Sequence, residues 1–314
     1  MADDDLDPEL RTFYAAQPRV DVSASNLEAV RQAIGPRVVA LLPSSVTPPE
    51  VRSVPGSDDG QEVTLRIHRP PIEGRLLPAI LHIHAGGFVM GSAAMSDGAN
   101  ERRAIEHEAI VIAIEYRLAP EARFPAQLED CYAALRWVAD NAPDLGVNAG
   151  RIALFGESAG GGLAAALAIF ARDRGGPALA GLFLSYAMLD CRTGAPEGVR
   201  NSRSGATGWS RASNQFGWQS MRGDRMIGDE EIGYFSPALA SDLSHLPPTY
   251  LAVGELDVLV DDSIGFATRL IHAGVPTELH VYPGAPHGFD NVAGAAVADR
   301  FKADLQHALA RALR

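Results

Sequence analysis

Positive charge is what this sequence is shortest of. Its 27 Lys and Arg face 39 Asp and Glu, for a formal net charge of -12. Binding nucleic acid or an anionic membrane surface needs a basic face, so neither partner is expected. Cysteine is nearly absent. Cys131 and Cys191 cannot build a disulfide framework in a chain of 314 residues, and both read as reduced side chains with no chemical role. No apolar run is long enough to span a bilayer. The opening MADDDLDPEL is acidic, without a basic and then apolar leader, so a cytoplasmic location is expected. Internal repeats and low-complexity tracts are also missing. So are zinc-ligand spacing and a dinucleotide fingerprint, and neither metal nor organic cofactor is expected.

What is present is an alternation of short apolar runs and amphipathic stretches. Residues 62–70 alternate as a strand does. Residues 78–84, 109–116, 151–156, 179–189, 249–257 and 277–284 read as strands, most of them buried on both faces. Between them, Leu128, Cys131, Leu135 and Val138 recur at helical spacing. Residues 159–173, 263–272 and 293–314 also read as helices. This alternation predicts an α/β fold, a mostly parallel sheet of about eight strands flanked by helices. Residues 1–50 look helical and break at the proline- and serine-rich LLPSSVTPPE. Residues 193–232 carry no strand signal but hold Trp209, Phe216, Trp218 and Met221, so they read as an ordered insertion that covers something.

Chemistry concentrates where strands end. In RIALFGESAGGG, Ser158 stands between Gly156 and Gly160, after a strand and before a helix. Such a turn lifts a hydroxyl clear of the sheet, and side chains two before and two after would strike backbone. A serine nucleophile needs a base, and His287, in YPGAPHGFD past the last strand, lies on the same sheet edge. The other histidines lack that setting; His68, His82 and His280 lie within strands and read as structural. An acid should fall between serine and histidine in chain order, and Asp257 does so in GELDVLVDD. Glu255 is the weaker alternative, and Asp261 and Asp262 suit the start of the next helix. Backbone N–H groups of Ala159 and of the glycine-rich loop HAGGF, with Gly86 and Gly87, would face a developing oxyanion.

Taken together, HAGGF, EYRLAPE, GESAGG, GELD and HGF resemble the motifs of the hormone-sensitive-lipase-like branch of the α/β-hydrolases, the bacterial family IV esterases. The resemblance implies an α/β-hydrolase fold and a carboxylesterase acting on short- to medium-chain esters through an acyl-enzyme. It makes Ser158 the nucleophile, Asp257 the acid and His287 the base, with Gly86, Gly87 and Ala159 as oxyanion donors. It also implies a helical cap built from residues 1–50 and 193–232 on a catalytic domain of residues 51–192 and 233–314. Phe88, Trp209 and Phe216 would line the substrate site, and since similar proteins often dimerise the resemblance also allows a homodimer. Ala85 departs from the family's first glycine, which could narrow the site. Three rival readings use the same residues: an amidase or peptidase, a non-catalytic small-molecule receptor like the plant hormone receptors of this family, and a purely structural α/β domain.

Overall fold

The computed structural model describes residues 5–41, 45–58, 60–195 and 203–314. Residues 42–44 of the proline- and serine-rich break and 196–202 of the 193–232 segment lie outside it. Among the described residues one eight-stranded sheet runs through the chain. Its strands are β1 (Glu50–Pro55), β2 (Glu62–His68), β3 (Leu77–Ile83), β4 (Ile110–Glu115), β5 (Val147–Glu157), β6 (Gly181–Ser185), β7 (Thr249–Gly254) and β8 (Thr277–Tyr282). They lie in the order β1-β2-β4-β3-β5-β6-β7-β8. β2 runs antiparallel to both neighbours, and every other pairing is parallel.

The helices are α1 (Pro8–Ala15), α2 (Leu27–Leu41), α3 (Asp97–Glu106), α4 (Ala126–Asp140), α5 (Ala142–Leu145), α6 (Ala159–Asp173), α7 (Arg211–Arg222), α8 (Ile232–Phe235), α9 (Val260–His272) and α10 (Ala296–Ala312). Successive residues of a strand point to opposite faces. Leu81 and Ile83 of β3 therefore join one core cluster with α4, α6 and α9, while Ile80 joins a second with α10. β4 and β5 divide alike: Ile112 and Leu154 go to the first cluster, Val111 and Phe155 to the second. That two-faced burial explains why these strands read as unbroken apolar runs.

β1 was not legible as a strand. It is an edge strand whose only buried side chain is Val54, so it carries almost no apolar signal. The 193–232 segment contributes α7 and ends where α8 begins, with no strand among its described residues. The first fifty residues divide. Leu6, Leu10 and Tyr14 around α1 sit in the second core cluster with Tyr282, Phe289 and Phe301. The entry to α2 instead meets α7, where Val22 N–H donates to Ser213 Oγ at 2.9 Å. No helix among the described residues is long and apolar enough to cross a membrane.

The register decides where side chains can converge. Ile83 pairs with Gly156, Glu157 with Ser185, and Gly254 with Tyr282, so β3, β5, β6, β7 and β8 all end at one edge. Ligands of open parallel sheets bind at such carboxyl ends.

Candidate active site

Ser158 bridges β5 and α6 with φ 55° and ψ -119°, a left-handed conformation that costs a non-glycine residue energy. The surroundings hold it there. Its N–H donates to Ser185 O at 2.9 Å, and its carbonyl accepts from Met188 N at 2.9 Å and Gly162 N at 3.1 Å. The glycines around it are required by contact. A Cβ at Gly156 would lie 2.2 Å from Gly160 O, and one at Gly160 would lie 2.0 Å from Ile83 O. Gly161 and Gly162 serve a different neighbour from the sheet itself. A Cβ there would stand 2.6 Å from Ala187 Cβ and 2.1 Å from Met188 O, in the segment leaving β6.

The turn faces His287. Ser158 Oγ lies 3.1 Å from His287 Nε2, and His287 Nδ1 lies 2.7 Å from Asp257 Oδ2. Asp257 is fully buried, and its second oxygen accepts Leu259 N–H at 3.0 Å. With a carboxylate at Nδ1, that nitrogen carries the proton and donates. Nε2 is left to accept from the serine hydroxyl. The Tyr186 ring stands edge-on to the imidazole, centroids 4.8 Å apart, and its hydroxyl donates to Asp290 at 3.0 Å. Glu255 is engaged elsewhere, with Arg203 and Gly284 N–H. Asp262 does more than sit in the first turn of α9. It is buried, accepts the N–H groups of Leu189 and Asp190 and the Thr193 hydroxyl, and so ties down the start of the 193–232 segment.

The glycine-rich loop leaves β3 beside the serine. Gly86 has φ 135° and Gly87 φ 60°, values that favour glycine. Ala85 has no positive φ, so its methyl group fits where the related motif has glycine. Among the described residues the N–H groups of Gly86, Gly87 and Ala159 donate to no protein acceptor. His84 anchors the loop. It stacks on Tyr116 at 4.2 Å, its Nδ1–H donates to Ala85 O at 2.8 Å, and burial pushes its imidazole down to about 4. It is therefore a neutral strut.

The 203–222 stretch lies against this machinery. A Cβ on Gly208 would be 2.8 Å from His287 O, and one on Gly217 of α7 would be 2.5 Å from Gly87 O. The Trp209 ring edge lies where a Gly87 Cβ would point, at 2.6 Å, with its centroid 6.4 Å from that of His287. Asn214 fixes that ring: its Oδ1 accepts Trp209 Nε1–H at 3.1 Å and its Nδ2 donates to Thr193 O at 2.9 Å. Phe216 is half-buried on the same helix. Phe88 is 1 % exposed and packs into the core, its ring 4.9 Å from Trp218.

Sequence reasoning missed several neighbours of the site. Glu157, next to the serine, receives His82 Nε2–H at 2.6 Å and Arg103 at 3.2 Å, while Asn100 Nδ2 donates to His82 Nδ1 at 2.9 Å. Burial alone would raise the Glu157 carboxyl, but His82 and Arg103 outweigh it and hold it lowered. An open cleft of about 660 Å³ lined by Arg69, Ile72, Arg75, Leu77, Ile110 and Leu145 lies at the opposite edge of the sheet and contains none of these residues. Among the described residues no cluster of His, Cys, Asp or Glu is arranged to hold a metal ion.

A serine turn, a histidine paired with a buried aspartate, and backbone donors that have no acceptor among the described residues, set on the carboxyl edge of this sheet order, define a class. The chain belongs to the α/β-hydrolase family, in its hormone-sensitive-lipase-like branch of esterases, and residues 80–291 match the family described as alpha/beta hydrolase fold. It is 35% identical over 298 residues to Esterase LipI of Mycobacterium tuberculosis, covering 93% of this chain and 90% of that one. It is 32% identical over 316 residues to Carboxylesterase NlhH of the same organism, covering 93% and 91%. Among solved structures, a bacterial heroin esterase superposes with a TM-score of 0.92 at 38% identity, over 100% of both chains.

Proposed function

We propose that this protein is a carboxylesterase in which Ser158, His287 and Asp257 transfer an acyl group from an ester to water. The observation that carries the reading is the relay itself, 3.1 Å from serine to histidine and 2.7 Å from histidine to aspartate, beside three backbone N–H groups with no acceptor among the described residues. The family relatives named as esterases support it.

In this mechanism Ser158 Oγ attacks the ester carbonyl carbon while His287 Nε2 takes its proton. Asp257 holds the imidazole in the required tautomer and stabilises its charged form. Gly86, Gly87 and Ala159 N–H groups receive the oxyanion. The alcohol leaves with the proton from His287, leaving an acyl ester on Ser158. Water then attacks that ester, giving its proton to His287, and the acid departs as Ser158 is restored. Residues 193–232 and the part of 1–50 that meets α7 would form the cap. Trp209 and Phe216 would wall the acyl and alcohol pockets, with Phe88 packed into their floor. Because Trp209 stands against both Gly87 and His287, short to medium acyl chains fit this reading best.

The test is hydrolysis of p-nitrophenyl esters from acetate to palmitate, with Ser158→Ala alongside and fluorophosphonate labelling of both. Turnover that peaks on short chains, with turnover and labelling lost in the variant, is expected. A folded wild type that neither turns over any ester nor takes the label would overturn the reading and bring the receptor alternative forward.

A further inference from the structure

The loop that carries His287 is held from outside by the N-terminal segment. Asp7 N–H donates to Gly284 O at 3.0 Å, where the loop leaves β8. The Tyr14 hydroxyl donates to the carbonyl of His287 itself at 2.9 Å. Glu9 accepts Ala296 N–H at 2.6 Å, where α10 begins beyond the loop. These contacts come from one turn and one short helix. Leu6, Leu10 and Tyr14, spaced by four, bury one face of it in the core cluster that also holds Tyr282, Phe289 and Phe301. Gly284 leaves no room for slippage, since a Cβ there would stand 2.8 Å from Asp7 N.

We propose that Tyr14 is a positioning residue for the reaction, and that α1 acts as a strap setting where the His287 imidazole sits. The proposal rests on the reading of His287 as general base. Burial and the nearby Asp290 and Asp257 carboxylates raise the Tyr14 phenol, so its hydroxyl keeps its proton and remains a donor. The His287 carbonyl has Tyr14 on one side and the Gly208 backbone on another. Removing the donor frees that peptide to rotate, and the side chain it carries moves with it. Base and nucleophile must keep their separation to a fraction of an ångström, so the cost falls on the chemical step rather than on substrate binding.

The test is Tyr14→Phe in the full chain, which keeps the packed ring and removes only the hydroxyl. The expected result is a fall in kcat of roughly three- to tenfold with KM held within about twofold. The melting midpoint should fall by no more than about 4 °C, and the far-downfield Nδ1–H proton resonance of the His–Asp pair should shift or broaden. Leu10→Ala, which loosens α1 without touching the hydroxyl, should also lower kcat when assayed well below its reduced melting midpoint, and it carries the test if Tyr14→Phe does not fold. A Tyr14→Phe enzyme with wild-type kcat and an unmoved proton resonance overturns the proposal. So does a loss of rate that only tracks a loss of folded protein or of fluorophosphonate-titrated sites. Absence of turnover in the wild type would instead be a failure of the esterase reading.

Discussion

Gly217 offers the sharpest test of how α7 meets the proposed catalytic site. Gly→Ala inside a helix normally stabilises by about 0.5–1 kcal/mol, because alanine loses less backbone freedom. At this position the new methyl carbon would stand 2.5 Å from Gly87 O, about 0.9 Å inside an ordinary contact of 3.4 Å. The glycine loop cannot retreat along its Cα, where the Trp209 ring edge already fills the place of a side chain. Overpacking of this kind costs about 1–3 kcal/mol. The clash at least offsets the helix gain, leaving a net loss of about 0–2.5 kcal/mol. The larger consequence is kinetic. If Gly87 N–H is an oxyanion donor, losing it altogether would lower kcat by about 10²–10³, and a partial shift by about 10–100-fold. Gly265→Ala in α9 is the control, since a Cβ there meets nothing within 4 Å. It should gain the helix stability and keep wild-type kcat. The assay is kcat and KM on p-nitrophenyl acetate and butyrate, with urea unfolding of both variants. A Gly217→Ala enzyme within twofold of wild type in kcat would refute the idea that α7 is keyed to a glycine-rich loop that holds the oxyanion.

Asp257→Asn should lower kcat by about 10³–10⁴ with little change in KM, since an amide beside Nδ1 favours the wrong imidazole tautomer; steady-state kinetics showing less than a tenfold loss would contradict the assignment. His84 makes a prediction about pH. Its folded-state value of about 4 lies below the ordinary 6.5, so its contribution to stability is full above 6.5 and is lost as pH falls toward 4. Between pH 7 and 5 the loss is about 2 kcal/mol. Unfolding curves of wild type and His84→Phe, which keeps the stack on Tyr116, should diverge by that amount, and parallel pH profiles would count against a buried neutral His84.

How much of this was readable beforehand depended on the range of the physics. The turn at Ser158 was legible because its constraints are local: Gly156 and Gly160 lie within two residues of the serine they make room for. The strand interiors were legible because both faces are buried. β1 was not, because an edge strand with Val54 as its only buried side chain has no pattern to show. Asp262 read as a helix-start residue because the carbonyl-end loop it binds, near residue 190, is far away in sequence. Tyr14 gave no signal at all; the carbonyl it meets belongs to residue 287, and nothing in PELRTFYA points there. The Glu157, His82 and Arg103 group was hidden for the same reason, since three elements contribute to it.

The docking of α1 also orders events during synthesis. This helix leaves the ribosome long before Tyr282, Phe289 and Phe301, which share its buried cluster. While the intervening residues are made, Leu6, Leu10 and Tyr14 present an apolar stripe with nothing to bury it. The nascent chain therefore carries a sticky, unpartnered helix until the residues around Phe289 and Phe301 have been made. Closure of the second core layer must wait for α10, however early the central strands have paired.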